Sequence, residues 1–239
     1  MTESATLQPA ISTELKSRFD INGFINFGRV LDDDELAAIR ERIDAIGDGT
    51  VQAPEKCVRF QQGLAWGPGT SLRRRDAVWQ LLGLGKHDDV FRSICQKPLI
   101  HQILETLLGE PAQYWSDQVI MKPANHGGVV PWHQDTSYWG QERRMTCWIA
   151  IDDATPANGC MRMIPGSHLR GQLKFTPKPF DGAPQELLVT DGVNEDTQVY
   201  VPVRAGCASI HHPLTLHASN ANTTPFNRRG LAVTYQAEG

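Results

Sequence analysis

Cysteine is scarce and odd in number. Cys57, Cys95, Cys147, Cys160 and Cys207 stand in a chain of 239 residues without a C-x-x-C pair or a regular spacing. A disulfide scaffold would be denser in cysteine and even-numbered, so free thiols in a reducing compartment, and a cytoplasmic location, are the expectation. A basic excess is missing too: 23 lysines and arginines face 27 aspartates and glutamates, for a formal charge of −4. That balance excludes a generic nucleic-acid binder, which needs positive charge gathered on one face. No apolar run approaches the ~20 residues of a membrane span. The opening stretch, Met1 to Pro9, lacks the basic and apolar regions of a secretory signal. No internal repeat or low-complexity tract interrupts the chain. Gly83-Leu84-Gly85-Lys86 is no phosphate loop, because the first glycine of G-x-x-x-x-G-K would fall on Gln80. The expected partner is a small molecule, with neither nucleic acid nor membrane involved; no motif speaks to an oligomeric state.

What is present is 40% hydrophobic and 21% charged residues, enough apolar material for one sizeable core. The texture is asymmetric. Asp32-Asp33-Asp34 precedes Leu36, Ile39, Ile43 and Ile46, which predicts an amphipathic helix with acids at its N-terminus. A shorter helix is predicted over 12–19, ahead of the alternating run Gly23 to Phe27. Glycines, prolines and polar residues between Gly47 and Arg75 predict a long surface excursion. Helical patterning is read again at Val78, Leu81 and Leu82, and from Val90 to Leu108.

From Ala112 onward short β-rich runs alternate with turn signals: 118–121, 145–151, 160–164, 198–203, 207–210, 214–218 and 231–235. Many short strands at this spacing predict a sandwich or barrel, of which the jelly roll is one form. The expectation is one domain over 1–239, mainly β, with a mainly helical part (1–110) packed on a β core (111–239).

The chemistry concentrates in Val130-Pro131-Trp132-His133-Gln134-Asp135 and in Cys207 to Asn222, which holds His211, His212 and His217. On a strand, residues two apart share a face, so His133 and Asp135 are expected to aim an imidazole nitrogen and a carboxylate at one point. Alone, an H-x-D pair is common on half-buried strands for structural reasons. A further histidine on a late strand would complete a 2-His-1-carboxylate triad, which holds Fe(II) by three corners and leaves three open. A bidentate 2-oxo acid fills two of those, and dioxygen the third. A nearby arginine would clamp the acid's far carboxylate. From the residues alone, any of the three late histidines could serve.

These segments resemble the phytanoyl-CoA dioxygenase family of Fe(II)/2-oxoglutarate oxygenases. The matching features run in order: Lys122-Pro123 before Pro131 to Asp135; Trp148 to Asp152; Asn158-Gly159-Cys160 leading into Ile164 to His168; Ala205-Gly206 before His211; and His217 with Ser219, Asn222 and Arg228. The resemblance spans roughly 118–235. It implies a double-stranded β-helix (jelly-roll, cupin-like) core, and His133, Asp135 and His217 as iron ligands and catalytic centre. Arg228, eleven residues beyond His217, matches the 2-oxoglutarate carboxylate partner. Ser219 matches a hydroxyl sharing that carboxylate, and Trp148 is a candidate wall of the cosubstrate pocket. The cofactors implied are Fe(II), 2-oxoglutarate as cosubstrate, and dioxygen.

The implied reaction is hydroxylation of an unactivated C–H bond in a small metabolite or natural-product intermediate. Desaturation, cyclisation and epimerisation use the same ligands, and a non-catalytic jelly-roll binding protein is the alternative from another class. Asp135 disfavours halogenation, and no basic cluster supports a coenzyme A thioester. The ectoine-hydroxylase form of the H-x-D segment, with serine between the ligands, is absent; Gln134 stands there.

Other residues have blander readings beside functional ones. Lys122 is either an exposed strand lysine or a pocket contact for an anionic group. His211 and His212 end a strand, bond backbone or line the substrate mouth. His168 is a turn residue bonding a loop carbonyl, and His126 an exposed one. Arg73-Arg74-Arg75 and Arg229 read as solvated charges. Trp132, Tyr138 and Trp139 read as core aromatics or as walls for a ring-bearing substrate.

Overall fold

A computed structural model describes residues 11–140 and 143–238. The opening stretch Met1–Pro9, read above for a targeting signal, lies outside the described residues.

Local signals start and stop the first elements. Helix α1 (Thr13–Asn22) begins where the Ser12 hydroxyl accepts the Leu15 N–H, and ends at Gly23, whose φ of 81° lets its N–H return to Phe19 O. It runs three residues past the expected end and leads into strand β1 (Phe24–Arg29). Helix α2 (Asp33–Asp48) opens on a reciprocal cap, with Asp32 accepting the Glu35 N–H and Glu35 accepting the Asp32 N–H. It buries Leu36, Ile39, Ile43 and Ile46, as their spacing predicts.

The excursion after α2 carries the short strand β2 (Val58–Phe60). Arg73 to Arg75 are not simply solvated: Arg73 pairs with Asp76, Arg74 donates to the Ile46 and Gly47 carbonyls, and Arg75 pairs with Asp44 and Asp48. The basic run thus closes the C-terminal end of α2, where the helix dipole favours cations.

Val78, Leu81 and Leu82 lie on a strand, β3 (Val78–Leu82), and not on a helix. A five-residue segment with four apolar positions carries no readable period, and pairing decided the matter: Gln80, Leu81 and Leu82 lie opposite Ile120, Val119 and Gln118. The next helical stretch is two helices, α3 (Asp89–Cys95) and α4 (Pro98–Leu108), divided where Pro98 starts a new first turn.

The β region follows: β4 (Ala112–Lys122), β5 (Val130–His133), the single turn α5 (Thr136–Trp139), β6 (Arg144–Ala150), β7 (Met161–Met163), β8 (Phe175–Lys178), β9 (Leu187–Thr190), β10 (Val199–Val201), β11 (Cys207–His211), β12 (His217–Ser219) and β13 (Arg228–Ala237). A seven-stranded sheet has the order β1-β11-β6-β13-β4-β3-β2, a four-stranded sheet the order β10-β7-β12-β5, and β8 and β9 form a hairpin. The ladders are antiparallel. This is the jelly-roll core expected from the sequence.

Strand alternation sorts the large sheet into two faces. Cys147 and Ile149, Leu231 and Val233, Ala208 and Ile210, and Val119 and Met121 join the helices in one apolar core. The opposite face turns Trp148, Ala150 and Ala232 toward Met161, Met163 and Val201 of the small sheet. β6 is buried on both faces along its whole length. The space between the sheets holds the candidate site. All five cysteines are free, and no helix among the described residues is long and apolar enough to cross a membrane.

Candidate active site

Strands β5 and β12 pair antiparallel with His133 opposite His217, bringing the ring centroids to 4.1 Å. Both rings are anchored alike. His133 Nδ1 donates to Pro131 O at 2.8 Å and His217 Nδ1 to Thr215 O at 2.9 Å. A carbonyl only accepts, so each Nδ1 carries the proton and each Nε2 presents a lone pair to the shared space.

Asp135 arrives by a different route from the one expected. The strand ends at His133, and Asp135 is helical (φ −59°, ψ −35°) at the head of α5, so the H-x-D pair does not share a strand face. Gln134 makes the break. Its buried amide donates to the Gly171 and Leu214 carbonyls at 3.0 and 2.7 Å and accepts the Leu173 N–H at 2.8 Å. The chain turns around this anchor, and Asp135 Oδ1 lies 4.0 Å from His133 Nε2 and 3.7 Å from His217 Nε2. One ligand atom from each of the three residues falls within 4.8 Å of the others.

The other carboxylate oxygen, Oδ2, accepts from His211 Nε2 at 3.1 Å and from Thr146 Oγ1 at 3.3 Å. Thr146 was missed in the sequence, and the contact of His211 with Asp135 was not foreseen. Strand period was the usable signal, since Ala208 and Ile210 face the helical core and His211 therefore faces inward. Burial lowers the pKa of His133, with Asp135 opposing, and lowers that of His217, with His133 adding to the effect. Burial alone would raise the Asp135 carboxyl, but His217, His211 and His133 hold it well below the usual carboxylate range. Neutral imidazoles beside an ionised carboxylate are the protonation states that bind a metal.

A small pocket of about 60 Å³ joins this cluster to Arg228, Ser219 and Trp148. Arg228 starts β13 and is buried, with its Cζ 5.6 Å from the Trp148 ring centroid and its Nε without a hydrogen-bond partner among the described residues. Burial brings its pKa down to about 10. Ser219 lies two residues past His217 on β12 and lines the same pocket.

Arg229 is not a solvated charge. Buried on the other face, it grips both oxygens of Asp152 at 2.8 Å and reaches Asp44 at 2.7 Å. Lys122 is neither exposed nor a pocket contact: it is buried and donates to Gly128 O, holding the turn after β4. The Asn222 amide closes that region by donating to the Lys122 and Phe226 carbonyls. His168 Nε2 donates to Asp20 O at 3.2 Å, the backbone role expected, and His126 is exposed.

A larger cavity of about 390 Å³ opens onto His133 and Asp135, lined in part by Trp79, Trp115, Tyr138 and Trp139. Trp132 is a core residue, packed with Ile164, Leu216 and Ala218.

The L-proline trans-4-hydroxylase of Streptomyces griseoviridis is 29% identical over 93% of this chain and 85% of its own. Among solved structures, EctD from S. alaskensis with bound Fe superposes with a TM-score of 0.75 at 19% identity, over 98% of this chain and 80% of that one. The epimerase SnoN in complex with Fe3+, alpha ketoglutarate and nogalamycin RO gives 0.70 at 23% identity, over 94% and 82%. The two structures share the fold. Residues 19–230 match the phytanoyl-CoA dioxygenase (PhyH) family, and the chain belongs to that family.

Proposed function

We propose that this chain is a one-domain Fe(II)/2-oxoglutarate-dependent dioxygenase that hydroxylates a C–H bond of a small metabolite or natural-product intermediate. The observation that carries the reading is the meeting of His133, Asp135 and His217 in a pocket that Arg228 also lines. Two neutral imidazoles and one carboxylate suit ferrous iron and leave coordination positions open. The buried guanidinium of Arg228, with its unpartnered Nε, suits an incoming carboxylate. The site therefore fits both groups.

When bound, iron and 2-oxoglutarate supply the oxidation: the oxo acid and dioxygen yield succinate and carbon dioxide while one oxygen atom enters the substrate C–H bond. The chain's own groups do the holding. His133, Asp135 and His217 grip the metal, and the carbonyls of Pro131 and Thr215 fix both imidazole tautomers. Arg228 and Ser219 orient the distal carboxylate of the oxo acid, with Trp148 as a wall that keeps water out. Substrate enters through the larger cavity, past Tyr138. Five free thiols, most of them buried, support a reducing, cytoplasmic setting.

The test is anaerobic calorimetry of Fe(II) and 2-oxoglutarate with the metal-free protein, then a metabolite screen reading succinate release and product mass. Metal-dependent 2-oxoglutarate binding and a product gaining one oxygen atom are expected. His133→Ala and Asp135→Ala should lose both metal and turnover. Retention of metal and turnover by Asp135→Ala would falsify the ligand assignment, and indifference to 2-oxoglutarate would leave a jelly-roll binding protein.

A further inference from the structure

The cavity in front of His133 and Asp135 combines aromatic walls with a single arginine, Arg59, in its lining. Trp115 and Trp139 meet edge to face at 5.5 Å, and the Arg144 guanidinium stacks 3.9 Å from the Trp115 ring centroid. Tyr138 is fixed at both ends, its ring edge-on to His133 at 5.7 Å and its hydroxyl accepting the Leu188 N–H at 3.0 Å. Trp79 is buried against Ala183 and Leu187. These rings are set before a ligand arrives, which favours a flat ring that loses little entropy on stacking. A volume of about 390 Å³ suits a small molecule.

The charge is supplied by Arg59, the one lysine or arginine lining the cavity among the described residues. Its guanidinium donates to the neutral amide oxygen of Gln185 at 2.8 Å, and no carboxylate among the described residues pairs with it. The two lining acids are engaged elsewhere. Asp135 belongs to the histidine cluster, while Asp117 accepts the Leu84 and Gly85 N–H groups at 3.1 and 2.8 Å and the Tyr114 hydroxyl. Between Arg59 and the cluster lie amides, with Gln80 donating to Gln118 at 2.6 Å.

Sheet order sets Arg59 apart from the cluster. Arg59 stands on β2 and Thr146, which bonds Asp135, on β6; the order β6-β13-β4-β3-β2 separates them by four strand spacings. At ~4.8 Å each this is about 19 Å of backbone across the strands. Register adds an offset along them, because Arg59 aligns through Gln80, Ile120 and Gly230 with Ala150, four residues from Thr146.

We propose that the substrate is a small, ring-bearing molecule with one anionic group, its ring held among Trp79, Trp115, Tyr138 and Trp139 and its charge on Arg59. This rests on the oxygenase reading only for which end of the molecule reacts, the end away from the anion.

The test uses metal-free protein and calorimetry, so its outcome does not depend on iron or 2-oxoglutarate. The probes are 2-naphthoate, its neutral counterpart 2-naphthamide, and octanoate, an anion without a ring. Wild type should bind 2-naphthoate at least tenfold more tightly than either of the others. Arg59→Gln should remove the preference for acid over amide, Arg59→Lys should keep part of it, and Arg228→Gln should leave it intact. Equal binding of acid and amide by wild type overturns the proposal. So does a preference that survives Arg59→Gln or disappears with Arg228→Gln. If naphthoate binds as expected while Fe(II) and 2-oxoglutarate do not, the oxygenase reading fails and the ligand class stands.

Discussion

His211 Nε2 lies 3.1 Å from Asp135 Oδ2, while Oδ1 of the same carboxylate faces His217 and His133 at 3.7 and 4.0 Å. One oxygen is occupied by a protein donor and the other is left for a metal, so the carboxylate cannot rotate freely and its ligand geometry is set in advance. Outer-shell partners of this kind typically carry ten- to a hundredfold in metal affinity. His211→Phe should therefore weaken Fe(II) or Co(II) binding by about 10–100-fold, with His211→Gln in between. Anaerobic titration of the metal-free protein, followed through the Co(II) absorption bands, reads this. Equal affinities for wild type and His211→Phe would show that Thr146 alone suffices.

Arg228 is a buried cation that lines the pocket, and its Nε has no hydrogen-bond partner among the described residues. Truncating one partner of a buried charge pair costs about 2–5 kcal/mol in binding, so Arg228→Met should raise the 2-oxoglutarate requirement at least ~30-fold while metal still binds. The same change removes an uncompensated charge from the interior, so the cosubstrate-free variant should melt at or above the wild-type temperature. A fall of many degrees would assign Arg228 a structural role instead.

His212 sits half-buried near the rings of Phe19 and His168, its Nδ1 accepting the Leu214 N–H at 3.2 Å. Burial, followed by His168 and His211, lowers its pKa from 6.5 to about 4. On acidification the unfolded chain takes the proton first. Stability contributed by the neutral ring is complete above 6.5 and is lost as the pH falls toward 4, by about 1–2 kcal/mol after allowance for partial exposure. His212→Asn should flatten this acid slope in urea unfolding compared at pH 7 and pH 5. Parallel slopes for the two proteins would rule the ring out.

Gly230 lies under Trp148, where an added Cβ would come within 2.0 Å of Trp148 Cζ2. Gly230→Ala must push the indole off the strand, at a cost of about 1–3 kcal/mol. Because Trp148 and Arg228 line one pocket, the 2-oxoglutarate requirement should rise as well. Urea unfolding and a cosubstrate titration check the two effects separately. A variant that matches wild type in both would mean the indole has room elsewhere.

Short-range chemistry was legible in the chain itself. The acids before Leu36 and the apolar spacing of α2 act within a turn or two, so their energies are written in neighbouring residues. The β texture after Ala112 could be read in the same way, whereas the choice of His217 and Arg228 came from the family resemblance. Val78 to Leu82 could not be read this way, because so short a segment, apolar but for Gln80, fits either period until β4 supplies hydrogen bonds. Arg229 and Lys122 were invisible for a related reason, since Asp44, Asp152 and Gly128 reach them only through folding. Asp135 is the sharpest case. The spacing suggested a shared strand face, whereas its carboxylate is placed by the break at Gln134 and by donors from β6 and β11. Sequence determined which donors are available and which local elements carry them. Tertiary packing decided where those donors point, because direction is fixed by hydrogen bonds and burial between segments 76 to 185 residues apart.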